Sequence, residues 1–99
     1  MAKPEWRSFV KLCAALSEDE LDKMLNLFLT AAERDDVADR YIILTTMLNS
    51  EKTHREIAAD YNISLAKVSR GSNAIKTASE YYPEIIEKLK HAIGKKKKL

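Results

Sequence analysis

A chain of 99 residues suits one small domain, and with two Gly, two Pro and weak strand signals it reads as helical. A core this limited points to an obligate oligomer; with no apolar run near membrane length and no signal peptide, a cytoplasmic location is expected. The net charge of +2 is unevenly shared: residues 1–51 carry six Lys/Arg against ten Asp/Glu, residues 52–99 eleven against five. That asymmetry fits a nucleic-acid-binding surface in the second half, and a lone Cys13 excludes an internal disulfide.

Pro4 suits a first helical turn, and Trp6, Phe9, Val10, Cys13 and Leu16 follow at helical spacing. Trp6 so near a terminus implies a cover, for which a second subunit is the candidate. Ser17 with Glu20 forms a capping box that opens a second helix carrying Leu21, Met24, Leu25 and Phe28. Leu27 and Leu29 make it apolar on several sides, as expected of a helix buried between neighbours. Thr30 with Glu33 opens a third helix along Val37, Tyr41, Leu44 and Leu48, widened by Ile42, Ile43 and Met47. So broad a face over about five turns marks a dimer spine. Residues 49–52 are a polar break.

The chain is organised around residues 52–76, KTHREIAADYNISLAKVSRGSNAIK. Thr53 with Glu56 caps a helix starting at His54, with Ile57, Ala58 and Tyr61 on one face. Asn62 stands where the chain reverses, because Asn tolerates the left-handed conformation. Ile63 packs the turn, and Ser64 caps a second helix with Leu65, Val68 and Ile75 apolar. Small Ala58 lets the two helices cross closely. This is a helix-turn-helix, and its second helix offers Ala66, Lys67, Ser69 and Arg70 with the polar groups of Ser72 and Asn73. Short polar side chains suit the major groove, and Lys and Arg neutralise phosphates.

After Ile75 the pattern lapses at residues 77–79. Residues 80–94 resume it as a C-terminal core helix, with Pro83 in its first turn, Tyr82, Ile85, Ile86, Leu89 and Ile93 apolar, and Gly94 as its stop. Residues 95–98, all Lys, read as a disordered basic tail. The expected organisation is one domain: dimerisation core helices over residues 4–51, the helix-turn-helix over 53–76, the C-terminal core helix, and the tail over 95–99. Nothing suggests catalysis. His54 and His91 have no Cys or second His at metal-ligand spacing, and the single glycine of SRGSN cannot cradle a phosphate. His54, beside the turn, is a candidate phosphate or base contact.

At VSRGSNAIK the sequence resembles the bacterial tryptophan repressor family, and MLNLFLTAAER (residues 24–34) resembles the segment joining that family's second and third helices. The resemblance covers roughly residues 5–93. It implies an all-α, six-helix intertwined homodimer with a helix-turn-helix reading head, binding operator DNA when L-tryptophan is present as corepressor. It also implies a ligand between the spine and the second reading helix. Arg70 matches the arginine that holds the ligand carboxylate, Arg40 the one stacked on the indole, and Gly71 the glycine beside the ring. Leu27 and Leu29 match residues whose carbonyls receive the ligand ammonium, and Thr30 the polar wall that follows. A guanidinium suits both pairing and stacking, and the carbonyl end of a helix suits an ammonium. For DNA, Arg55 matches a base-reading arginine and Ala66 a small residue at the groove; Thr53, His54, Lys67, Ser69 and Lys76 complete the expected contacts.

Three departures stand out. Ala74 replaces a serine whose hydroxyl meets the ligand ammonium, Lys67 replaces a smaller residue, and residues 62–64, Asn-Ile-Ser, replace a more glycine-rich turn. Rival readings are a helix-turn-helix repressor responding to another amino acid or an indole derivative, a helical dimerisation module binding an acidic protein, and a DNA binder indifferent to tryptophan.

Overall fold

Three reciprocal capping boxes set the helix starts. Ser17 and Glu20, Thr30 and Glu33, and Thr53 and Glu56 each exchange two side-chain-to-backbone hydrogen bonds of 2.8–3.2 Å, satisfying amides that have no partner inside their helix. A computed structural model describes the backbone of residues 3–96 and the side chains of residues 3–92. Among these the elements are α1 (Pro4–Ala15), α2 (Glu18–Phe28), α3 (Ala31–Asn49), α4 (His54–Tyr61), α5 (Leu65–Tyr81) and α6 (Pro83–Lys96), with no strand. No described helix is long and apolar enough to cross a membrane.

The chain forms two compact units, Met1–Asp35 and Asp36–Leu99. In the first, Phe9 lies between Trp6 and Phe28, with ring centroids 5.8 and 5.2 Å away. No residue of α1 or α2 is buried, and Trp6, Leu27 and Phe28 are exposed. Arg34 Nη1 donates to the carbonyls of Leu29 (2.8 Å) and Asn26 (3.3 Å), closing the C-terminal end of α2.

The second unit has the core. Ile43 of α3, Ile57 of α4, Ile63 of the turn and Val68 of α5 are buried together, with Ile42, Met47 and Ala58 packed against them. The carbonyls at the end of α3 are satisfied locally: Asn49 Nδ2 donates to Thr45 O at 2.9 Å and Ser50 Oγ to Thr46 O at 2.8 Å. The polar break of residues 49–52 is thus a side-chain cap as well as a linker.

Within the single chain α3 buries Ile43, Thr45 and Thr46 and leaves Val37 and Tyr41 of the expected spine face exposed. Two expectations are corrected. Residues 77–79 are helical: α5 runs unbroken to Tyr81, Thr77 turning its hydroxyl back to Asn73 O at 3.4 Å, and Tyr82 alone separates it from α6. Pro83, with fixed φ and no amide hydrogen, is the first residue of α6. Finally, α6 continues through Gly94 to Lys96, since a glycine permits a left-handed exit without compelling one. The rest of the expected basic tail, residues 97–99, lies outside the described residues.

Candidate ligand cavity and nucleic-acid interface

Within the second unit, α4 and α5 meet through the turn anticipated for a helix-turn-helix. Asn62 adopts φ 54°, ψ 49°, among the described residues the only non-glycine with positive φ. The Ser64 hydroxyl then accepts the Lys67 amide at 3.1 Å and starts α5 in a new direction. Val68 and Ile63 are buried beneath this bend, which fixes the faces of the two helices. Thr53, His54 and Arg55 at the start of α4, Ala66 in the first turn of α5 and Lys76 further along are exposed; Ser69 is half-buried.

Behind α5 the backbone comes very close to α3. Gly71 is buried, and a Cβ built on it would lie 2.4 Å from Ile43 Cγ2 and 3.9 Å from Arg40 Cδ. Only a hydrogen fits there. Beside this crossing is a cavity of about 180 Å³ lined by Asp36, Asp39, Arg40 and Ile43 of α3 and by Lys67 and Arg70 of α5. The α3 residues share a face by their three- and four-residue spacing, as do Lys67 and Arg70. Arg40 and Arg70, two of the expected ligand residues, therefore line one space, and Gly71, a third, lies at the crossing beside it.

Leu27, Leu29 and Thr30 belong to the first unit. Leu27 and Thr30 are exposed, the Thr30 hydroxyl accepts the Glu33 amide, and the Leu29 carbonyl accepts Arg34.

Lys67, expected from the sequence as a DNA contact, has its ammonium on α3, where it donates to Asp36 Oδ1 at 2.6 Å and Asp39 Oδ2 at 3.0 Å. The reason is electrostatic: two carboxylates on α3 lie within reach of its flexible stem. Hydrogen bonds to Asp36 and then to Asp39 raise its pKa above the ordinary 10.5. Asp36 and Asp39 are not among the residues expected here from the sequence, although their spacing with Arg40 and Ile43 puts all four on one stripe. The cavity thus holds three cationic and two anionic side chains, the equipment to bind a ligand bearing a carboxylate.

Residues 4–90 match the family described as "Trp repressor protein". A "Trp operon repressor homolog" of Chlamydia trachomatis serovar L2 is 40% identical over 84 residues, covering 84% of this chain and 89% of that protein. Proteins of the same name from Chlamydia caviae and Haemophilus influenzae are 36% identical over 90 residues and 38% identical over 74 residues. The first alignment covers 90% of this chain and 89% of its relative, the second 74% and 73%. The chain belongs to the Trp repressor family, whose members are regulatory DNA-binding proteins and not enzymes.

Proposed function

We propose that this protein is a cytoplasmic, tryptophan-responsive transcriptional repressor that grips operator DNA as a homodimer, with L-tryptophan as its corepressor. The observation that carries the reading is the convergence of Arg40 and Arg70 on one cavity whose walls are α3 and α5, beside the crossing where Gly71 lets the two helices approach. Arg70 stands on the same helix as Ala66 and Ser69, so a molecule held by its guanidinium also holds the helix that faces the groove. A coupling of about 1–3 kcal/mol is enough for such a switch. In this reading Arg70 pairs with the ligand carboxylate, Arg40 stacks on the indole, and Gly71, lacking a Cβ, lets α5 approach α3 closely enough to wall the ring.

At about 180 Å³ the cavity is smaller than the roughly 300–1,000 Å³ usual for ligand pockets, so an indole needs further walls. Leu27, Leu29 and Thr30 are proposed for that role, on the family resemblance. Dimerisation is supported by the first unit: two helices with no buried residue and an exposed Trp6 and Phe28 gain too little burial to stay folded uncovered. Thr53, His54, Arg55, Ala66, Ser69 and Lys76 are the proposed DNA contacts.

A gel-shift of genomic fragments with and without L-tryptophan tests the whole reading. Retarded fragments are expected only with the amino acid. Identical shifts in both lanes, or none in either, would overturn it. Sedimentation should give a dimer at micromolar concentration.

A further inference from the structure

We propose that Asp36 and Asp39 receive the ammonium of the amino-acid ligand, and that the Lys67 ammonium keeps their place until the ligand arrives. The inference rests on reading the cavity as the amino-acid site and adds to it the determinant of ligand charge. The structure already holds an ammonium where the proposal needs one: Lys67 Nζ lies 2.6 Å from Asp36 and 3.0 Å from Asp39, inside the cavity shared with Arg40 and Arg70. An α-ammonium carries the same three donors as a lysine ammonium and fits the same acceptors.

The exchange is balanced in charge. A ligand zwitterion gives its ammonium to the aspartates, and the released Lys67 turns to the ligand carboxylate beside Arg70, one turn further along α5. Each charge keeps a partner throughout. The Lys67 and Asp39 side chains are 34% and 30% exposed and Asp36 is 63% exposed, and ion pairs so open to water are weakly held, so the swap costs little. Two of the other acceptors implied for the ammonium are compromised here. The Leu29 carbonyl already accepts the Arg34 guanidinium, which repels a second cation, and Ala74 has no hydroxyl to offer.

An anionic analogue, indole-3-propionate, leaves the aspartates to Lys67. A cationic one, tryptamine, displaces Lys67 without supplying it a carboxylate. Both should bind less well than tryptophan. The test is calorimetric titration of the intact protein with all three compounds, for the wild type, Asp36→Asn/Asp39→Asn and Lys67→Met, with folding checked by circular dichroism. The double variant should lose about tenfold or more in tryptophan affinity, the scale of a charged hydrogen bond, while indole-3-propionate loses none. Lys67→Met should bind tryptamine several-fold more tightly, because its competitor for the aspartates is gone. This variant decides the matter alone if the double variant does not fold. Tryptophan preference kept by the double variant, or tryptamine affinity unmoved by Lys67→Met, would overturn the inference and leave the cavity reading standing. Wild-type protein that binds none of the three would overturn both.

Discussion

Replacing Gly71 by alanine sets two effects of opposite sign against each other, and the structure decides which prevails. In the middle of α5 an alanine is intrinsically better than glycine by about 1 kcal/mol, because it restricts the unfolded chain. Yet its Cβ would stand 2.4 Å from Ile43 Cγ2, against about 3.5–4.0 Å for carbon atoms at ease. Ile43 is 1% exposed, in the centre of the core, and cannot swing into solvent. The α5 helix must therefore retreat from α3 by about 1 Å, the kind of overpacking that costs about 1–3 kcal/mol. The clash outweighs the gain, for an expected net loss of up to about 2 kcal/mol. Thermal unfolding at fixed protomer concentration should shift down by about 4–8 °C per kcal/mol. Ile43→Ala removes the clashing Cγ2 and costs about 2–5 kcal/mol by itself. Combined, the two changes should cost less than their sum by about 1 kcal/mol or more, as direct contact requires. A Gly71→Ala protein more stable than the wild type, or strictly additive effects, would refute the reasoning.

The features legible in the sequence are those set by chemistry three or four residues apart. Capping boxes at Ser17, Thr30 and Thr53 are local reciprocal bonds, and each is present. Asn62 in the left-handed region and Ser64 as a cap follow from single-residue preferences. The features less legible depend mostly on partners distant in sequence. Thr77 and Ser79 are weak helix formers in isolation, but α5 packs on α4 and α6, and tertiary packing overrides small propensity differences. Val37 and Tyr41 fit a helical stripe as well as Ile43 does, and only the neighbouring helices decide which stripe is buried. Lys67 is the clearest case. Its helical position suggests the groove, but its partners stand 31 and 28 residues upstream, and a four-carbon stem can serve either side of its helix. The acidic pair was hidden because Asp35, Asp36 and Asp39 look like one solvated run. Gly71 was legible as a place needing room; that the close neighbour is Ile43 was not.

Other outcomes follow from the same geometry. Asn62→Val should lose about 1–2 kcal/mol by urea titration because φ is 54°, while Asn62→Gly should not; equal losses would remove the turn from the account. Hydrogen bonds to Asp60 and to Asp36 hold the Lys52 and Lys67 pKa values above 10.5, so their stabilisation is complete below that pH and lost as pH rises through the raised values. Melting temperature should therefore fall above pH 10.5, less steeply in a Lys52→Met/Lys67→Met variant, and parallel curves would count against both pairs. Operator binding through about six phosphates should show a log–log salt slope of about −5. Arg55→Ala should cost about 1–3 kcal/mol on operator and little on random duplex, equal losses making Arg55 a phosphate contact instead. Arg70→Ala addresses the switch itself. Arg70 is exposed and contributes no buried apolar surface, so the fold should survive with an unchanged melting curve. Removing its guanidinium takes the proposed carboxylate partner from the α5 wall of the cavity and leaves the α3 wall intact. Tryptophan would then still touch Arg40 but would have lost its bidentate hold on the reading helix. Weak, salt-sensitive binding to any duplex should remain, while the tryptophan-dependent increase in operator affinity disappears. An Arg70→Ala protein that answers tryptophan as the parent does would mean the corepressor acts from somewhere other than this cavity.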